Sequence, residues 1–325
     1  MEHSISIIIC TRNRCDDLTR TLESLGSVEL PAGADVELLV VDNGSTDRTP
    51  DVVAAAAGRL PGIGVRHLVE PVAGQSRARN LGVAESIGEV VLFTDDDVRP
   101  PGDWITAVTS PILSGECDAV AGGVRIADHL LRDWMTPRLR SWFASTDGLA
   151  REPNWRMVGA NMAFSRRVLE KVPAFDVALG PGGLGFGDET LFSSQLVEAG
   201  YRTARALDVQ VEHHFSPHRL SAASLRDAAI RMGRSQAYVE YHWVHYRRPA
   251  PRLRWMKHRA EYEMKRLLFR SGRSEGLPEW EMDLLHQIGL YDQAAREYRK
   301  PMNYDRRGLS RREHGRSLEV CPGVV

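Results

Sequence analysis

The stretch that decides the reading is Glu89-Val90-Val91-Leu92-Phe93-Thr94-Asp95-Asp96-Asp97-Val98. Apolar and β-favouring residues run directly into three carboxylates. The first part predicts a short strand buried on both faces, as in the middle of a parallel sheet. Asp95 and Asp97 are two apart, so in extended chain they point the same way. Carboxylates held side by side repel and raise one another's pKa unless a cation sits between them. An all-oxygen acidic set suits a hard divalent ion such as Mg²⁺ or Mn²⁺. The plain alternative is a solvated acidic turn. The place of the triplet at the carboxyl end of a buried strand, where open α/β sheets bind ligands, favours the metal reading.

Upstream, strand and helix patterns alternate. Ile5-Ser6-Ile7-Ile8-Ile9-Cys10 is a β-branched run that predicts a buried first strand, ending in the polar turn Thr11-Arg12-Asn13-Arg14. Leu18, Leu22 and Leu25 recur at helical spacing before Gly26. Val36 to Val41 predicts a second strand that ends on Asp42-Asn43-Gly44-Ser45-Thr46-Asp47. A helix from Pro50 to Leu60, a strand from Val65 to Val69 and a helix opening at Ala73-Gly74-Gln75-Ser76-Arg77-Ala78-Arg79-Asn80 lead to the acidic strand. This alternation predicts a Rossmann-like, mostly parallel α/β sheet with right-handed crossovers. The polar strand ends converge on one edge, as in a nucleotide site. The turn after the first strand is neither G-x-G-x-x-G nor a P-loop, which argues against a dinucleotide dehydrogenase or an ATPase.

The 325 residues allow one large α/β domain with an appendage, and a net charge of -1 gives no global basic excess for nucleic acid. No leader pattern precedes the first strand, and no apolar run approaches the roughly 18 residues of a membrane span. Cys10, Cys15, Cys117 and Cys321 lack metal or disulfide spacing. Together these features lead to the expectation of a cytoplasmic, reduced setting.

Downstream, Trp104 to Leu113 predicts a helix and Asp118 to Val124 a strand. Residues 128–156 form a long connection with Trp134, Pro137, Trp142, Phe143 and Trp155. Such a connection is either functional or a cover for the sheet. Met157-Val158-Gly159-Ala160-Asn161-Met162-Ala163-Phe164 is strand-like. A glycine-rich loop, Gly180 to Gly187, then presents Asp188 and Glu189 at a helix start. Those carboxylates either complement the helix dipole or serve a substrate hydroxyl. Val209-Gln210-Val211-Glu212-His213-His214 ends another strand on imidazoles. From Ser221 the pattern changes to long basic amphipathic helices near 221–246, 253–270 and 278–299, with Trp243, Tyr246, Trp255, Tyr262 and Phe269 interleaved. They are either a bundle with a solvated basic side or a membrane-surface or acceptor-binding face. The expected division is 1–220, a helical region 221–302, and a weakly ordered tail 303–325.

In this order the pieces resemble the family-2 glycosyltransferases of the GT-A fold, over about residues 4 to 215. The resemblance rests on Ile5 to Arg14, Val40-Val41-Asp42-Asn43-Gly44-Ser45, Ala78-Arg79-Asn80-Leu81-Gly82 and Thr94-Asp95-Asp96-Asp97. Gly159 to Phe164, Phe175-Asp176, Gly187-Asp188-Glu189 and His213 complete it. It implies an inverting, metal-dependent transferase that moves a sugar from a nucleotide-diphosphate sugar to an acceptor hydroxyl. The first candidate donor is a UDP-sugar; the acceptor is a saccharide, a lipid-linked glycan or a small natural product. By resemblance, Asp97 ligates Mn²⁺ or Mg²⁺ and Asp95 contacts the ribose or shares the metal. Asp96 supports them, and His213, with His214 as fallback, completes the metal set. Asp42 reads the base, Thr11, Arg12 and Asn13 line base and ribose, and Arg79 or Arg77 approaches the nucleotide. Asn161 lies on the donor-sugar or acceptor side. The family pair at the helix start is usually Glu-Asp, whereas here it is Asp188-Glu189. Position assigns the general base to Glu189 and a supporting role to Asp188. Other classes are a sugar nucleotidyltransferase, which lacks its glycine- and Lys/Arg-rich pyrophosphate loop here, and a non-catalytic sugar-nucleotide-binding protein. The basic C-terminal helices suggest peripheral contact at the inner membrane surface.

Overall fold

Ile5, Ile7 and Ile9 point to one side of strand β1 (His3–Thr11) and Ile8 to the other, and none is exposed to solvent. A strand apolar on both sides needs cover on both faces, and the fold supplies it. The computed structural model describes residues 3–147, 156–269, 272–313 and 316–317. After β1 come α1 (Cys15–Leu25), β2 (Ala34–Asp42), α2 (Thr49–Ala56), β3 (Ile63–Val69), α3 (Gln75–Glu85) and β4 (Val90–Asp95). Then follow β5 (Val98–Arg99), α4 (Trp104–Leu113), β6 (Ala119–Ile126), α5 (Pro137–Trp142), β7 (Asn161–Ser165), α6 (Asp188–Glu198) and β8 (Thr203–His213). Three long helices follow: α7 (Ala222–His242), α8 (Pro251–Leu268) and α9 (Glu279–Glu297).

By internal contacts the chain divides into two compact units, Met1–Val177 with Phe192–Phe215, and Ala178–Leu191 with Ser216–Val325. The first unit holds an eight-stranded sheet in the order β3-β2-β1-β4-β7-β6-β8-β5. Strands β1 to β4, β6 and β8 run one way. Strands β7 and β5 run against them. Apolar side chains on one face (Ile5, Ile7, Leu38, Val40, Leu92) join Leu18, Leu22, Val53 and Trp104 from the helices. Those on the other (Ile8, Leu39, Val91, Phe93) join Ala78, Phe164, Phe175 and Phe192. Cys10, Cys15 and Cys117 are free thiols. Trp155, Cys321 and residues 314–315 and 318–325 of the expected tail lie outside the described residues.

In the second unit, α7 and α9 pack backbone against backbone. A Cβ at Gly233 would collide with the carbonyl of His286, and one at Gly289 with that of Ile230. Only glycine permits that approach. Buried Glu281 of α9 accepts from Arg226 of α7 at 2.7 Å and from Tyr262 of α8 at 3.3 Å, tying the three helices at one end. The glycine loop is not slack. Backbone bonds from Gly183 and Gly185 to the Gly180 carbonyl, and from Leu184 to the Ala178 carbonyl, close it before Gly187 (φ +89°) starts α6.

Candidate active site

Register places the predicted polar strand ends side by side. Thr11 pairs with Asp42, and Cys10 with Asp95, so β1, β2 and β4 end at one edge. Beyond Asp95 the chain is no longer extended. Asp96 and Asp97 form a turn, and β5 then pairs Val98 with His213 of β8. The His214 amide donates to the Asp97 carbonyl at 2.8 Å and locks that register. The two-residue strand β5 therefore carries the third aspartate to the histidine. Its shortness hides it from any periodicity argument.

Asp97 and His213 are both buried, with 1% and 3% of their side chains exposed, and His213 Nε2 lies 3.2 Å from Asp97 Oδ1. His213 Nδ1 sits 2.8 Å from the Phe143 carbonyl, an acceptor, so Nδ1 carries a proton. In the neutral ring, Nε2 then turns its lone pair towards a carboxylate. Two electron-pair donors face each other there, an arrangement that a cation held between them relieves. A ligating histidine whose other nitrogen donates to a carbonyl is the usual orientation at metal centres. Phe143 stacks on Phe215 at 4.4 Å between ring centroids, so the aromatic-rich connection holds the imidazole in place. His214 goes elsewhere: its Nε2 pairs with Glu212 at 2.7 Å, and burial lowers its pKa.

Arg14 contributes a feature that the motif reading left without a role. One of its terminal nitrogens lies 2.6 Å from Asp96 Oδ1 and 2.8 Å from Asp97 Oδ2. Burial works against the charge on Arg14, but Asp96 and Asp97 outweigh it and hold the guanidinium above its ordinary range. Asp96 also accepts from the Thr11 hydroxyl at 2.7 Å, and its carbonyl accepts from Thr21 at 2.6 Å. Asp96 is thus the brace of the triplet. Burial pushes its carboxyl up to about 7, Arg14 pulls it down, and Asp97 adds to the rise. Burial likewise raises Asp95, opposed first by Arg79, whose guanidinium is 4.0 Å away.

Arg14→Ala is expected to leave two buried carboxylates facing each other. Removing one partner of a fully buried pair costs about 3–5 kcal/mol; with Arg14 partly open to water, a loss of about 2 kcal/mol is expected in a thermal melt. The deficit should shrink on acidification, because protonating Asp96 removes charge that Arg14 no longer offsets. An unchanged melting temperature at neutral pH would dismiss this role.

The other predicted residues fall into two groups. Asp42 is buried; its Oδ1 accepts from the Ser45 amide at 2.7 Å and its Oδ2 is 3.7 Å from His67. Arg12 and Arg77 are exposed, whereas Arg79 is buried with its guanidinium over Phe175 and Phe93. A Cβ at Gly159 would collide with Arg79, which accounts for glycine there. Asn13, at φ +53°, accepts from the Thr46 amide at 2.7 Å and so braces one strand-end loop against the next. Asn161 has no exposed surface. Its oxygen accepts from Trp104 Nε1 at 2.9 Å, and its amide donates to the carbonyls of Gly123 and Val209. As placed, Asn161 ties β7 to its neighbours. On α6, Asp188 is buried and Glu189 half-buried. Among the described residues, no group of three or more His, Cys, Asp or Glu side chains is assembled as a ready metal cage.

Comparison with known proteins agrees with this architecture. The model of glycosyl transferase family 2 matches residues 6–173. The succinoglycan biosynthesis protein ExoM of Rhizobium meliloti is 28% identical over 240 residues, which are 71% of this chain and 73% of that protein. Glycosyltransferase AglE of Haloferax volcanii is 25% identical over 237 residues, 72% of this chain and 73% of that one. Among solved structures, the mannosyltransferase PcManGT of Pyrobaculum calidifontis, in complex with GDP-Man and Mn²⁺, superposes with a TM-score of 0.54 at 19% identity. The match covers 91% of this chain and 75% of that chain. With the match spanning more than half its length and the GT-A sheet beneath it, the chain belongs to glycosyl transferase family 2 and is a glycosyltransferase.

Proposed function

We propose that this enzyme is an inverting, divalent-metal-dependent transferase that moves a sugar from a nucleoside-diphosphate sugar to an acceptor hydroxyl. The observation that carries the reading is the buried Asp97–His213 pair, with the imidazole oriented by the Phe143 carbonyl. A Mg²⁺-type ion is commonly held by one or two carboxylates together with substrate phosphates. Two protein donors therefore fit an ion completed by a diphosphate, with Asp95 beside it as a third oxygen source or a ribose contact. When bound, the ion would neutralise charge gathering on the leaving diphosphate. Asp42 and Arg12, at the ends of β2 and β1, are proposed to meet base and ribose, and Arg79 to hold Asp95 in place. Glu189 is proposed to take the proton of the attacking hydroxyl. A base acting opposite the leaving group gives a single displacement and inverts the anomeric centre.

A thermal-shift series of nucleoside diphosphates, each with and without Mn²⁺, tests the reading. A ligand that binds only the native state raises stability by RT ln(1 + [L]/Kd). UDP is the first candidate, and GDP is the second because PcManGT was solved with GDP-Man. One diphosphate should stabilise the protein only in the presence of Mn²⁺. If none does, the metal site is misassigned. A product that keeps the anomeric configuration of its donor would overturn inversion.

A further inference from the structure

We infer that α8 docks in the plane of a membrane, laying its outward face on an anionic lipid surface. The inference is independent of the sugar chemistry. Helix α8 has two apolar faces. One is satisfied within its own unit: Tyr262 is 5% exposed, Trp255 packs on the cluster of Ala237, Leu290, Tyr291 and Ala294, and His258 stacks on Tyr291 at 5.5 Å. The opposite face carries Leu253, Met256, Ala260, Met264 and Leu267, spaced three or four apart, which aligns them in one stripe.

That stripe faces solvent. Leu253 is 64% exposed, Met256 53%, Met264 55% and Leu267 74%; Leu268, at the helix end, is 69% exposed, and Phe269 beyond it turns towards Trp280 of α9. Isolated exposed apolar side chains are ordinary, but a continuous stripe marks an interaction surface. Its borders are cationic. Arg252, Arg259 and Arg266 follow one edge at seven-residue spacing, and Lys257 and Lys265 lie towards the other, whereas Arg254 donates to the Tyr291 hydroxyl of α9. Glu261 and Glu263 are the only acids on the helix; the Glu263 pairs with Arg259 and Arg266 are solvent-exposed, the Glu261–Lys265 pair is half-exposed, and such pairs are weak.

Charge decides the occupant. A second copy laid on the stripe would bring like-charged edges together, which opposes self-association. An anionic bilayer satisfies both features. The apolar side chains enter the acyl boundary, and the Arg and Lys heads reach up to the phosphates. Among the described residues no helix is long and apolar enough to cross a membrane, so the contact lies in the interface plane.

Flotation of the full chain with phosphatidylcholine vesicles, with and without phosphatidylglycerol, at low and high salt, tests the inference. The wild-type chain should float only with the anionic vesicles and be released by salt. Combined Leu253→Gln, Met256→Gln, Met264→Gln and Leu267→Gln should abolish flotation while the melting temperature stays unchanged, because these positions are exposed. Combined Arg252→Gln, Arg259→Gln and Arg266→Gln should weaken binding about a hundredfold. Failure of the wild-type chain to float with anionic vesicles overturns the inference, as does a stripe variant that floats equally well. A wild-type dimer that ignores vesicles, and that the stripe substitutions dissolve, overturns it in favour of a contact between copies.

Discussion

Asp97→Ala is expected to abolish Mn²⁺-dependent nucleotide binding and to cut sugar transfer by about a thousandfold or more. A metal that stabilises charge on a leaving group contributes several kcal/mol, and about 4 kcal/mol corresponds to three decades in rate. The fold should survive the change. Arg14 keeps its 2.6 Å contact to Asp96, and Asp96 keeps the Thr11 and Thr21 hydroxyls. Asp97→Ala also removes a carboxylate that is 1% exposed, so the loss of its partners is offset by the loss of a buried charge. The melting temperature of the metal-free protein should therefore move little. Asp96→Ala should do the reverse, lowering the melting temperature because the Arg14 guanidinium and the Thr11 hydroxyl lose their side-chain acceptor, while Thr21 keeps the backbone carbonyl. Titration calorimetry with the stabilising diphosphate, with and without Mn²⁺, reads the binding term apart from turnover. Retained Mn²⁺-dependent binding in Asp97→Ala would remove that residue from the metal site.

The contrast between neighbouring aspartates bears on how far a sequence can be read. The strands β1, β2 and β4 were legible because a run buried on both faces needs no face assigned: Ile5, Ile7, Ile8 and Ile9 read as core whichever way the strand is turned. Alternation does not report direction, so the reversal of β7 within a mostly parallel sheet lay outside the pattern. The same limit applied to side chains two apart or adjacent. Arg77 and Arg79 share a helix turn, and only packing on Phe93 and Phe175 buries the second. His213 is the last residue of β8 and His214 lies just beyond it, and the register with Val98 brings the first to Asp97. Asn161 drew attention through its motif, yet its amide serves Trp104, Gly123 and Val209. Arg14 has no role legible in its motif, because an arginine in a polar turn looks the same whether it faces water or two carboxylates from 82 and 83 positions later. Chemistry that depends on long-range register was thus the part the sequence withheld.

Glu189→Gln is expected to lower kcat about a thousandfold, within the 10²–10⁴ range of general-base catalysis, while leaving diphosphate affinity within about twofold. Gly187, at φ +89°, turns the chain into α6, and the Leu191 amide donates back to the Gly187 carbonyl at 2.9 Å. Asp188 and Glu189 then stand in the first turn, where the partial positive charge of the helix start favours ionised carboxylates. A base must be both ionised and reachable. Asp188 is 1% exposed, whereas Glu189 is half-buried and the more accessible of the two. Glutamine keeps the size and hydrogen-bonding shape of glutamate, so α6 should start as before and the substitution should remove only proton acceptance. Asp188→Asn, which leaves Glu189 in place, should keep turnover within about tenfold of wild type. The pH profile separates the two roles. The acid limb of kcat, where the base becomes protonated, should disappear in Glu189→Gln and persist in Asp188→Asn. If the limb vanishes instead in Asp188→Asn, the inverted order of the pair has also exchanged their functions, and the buried aspartate is the base.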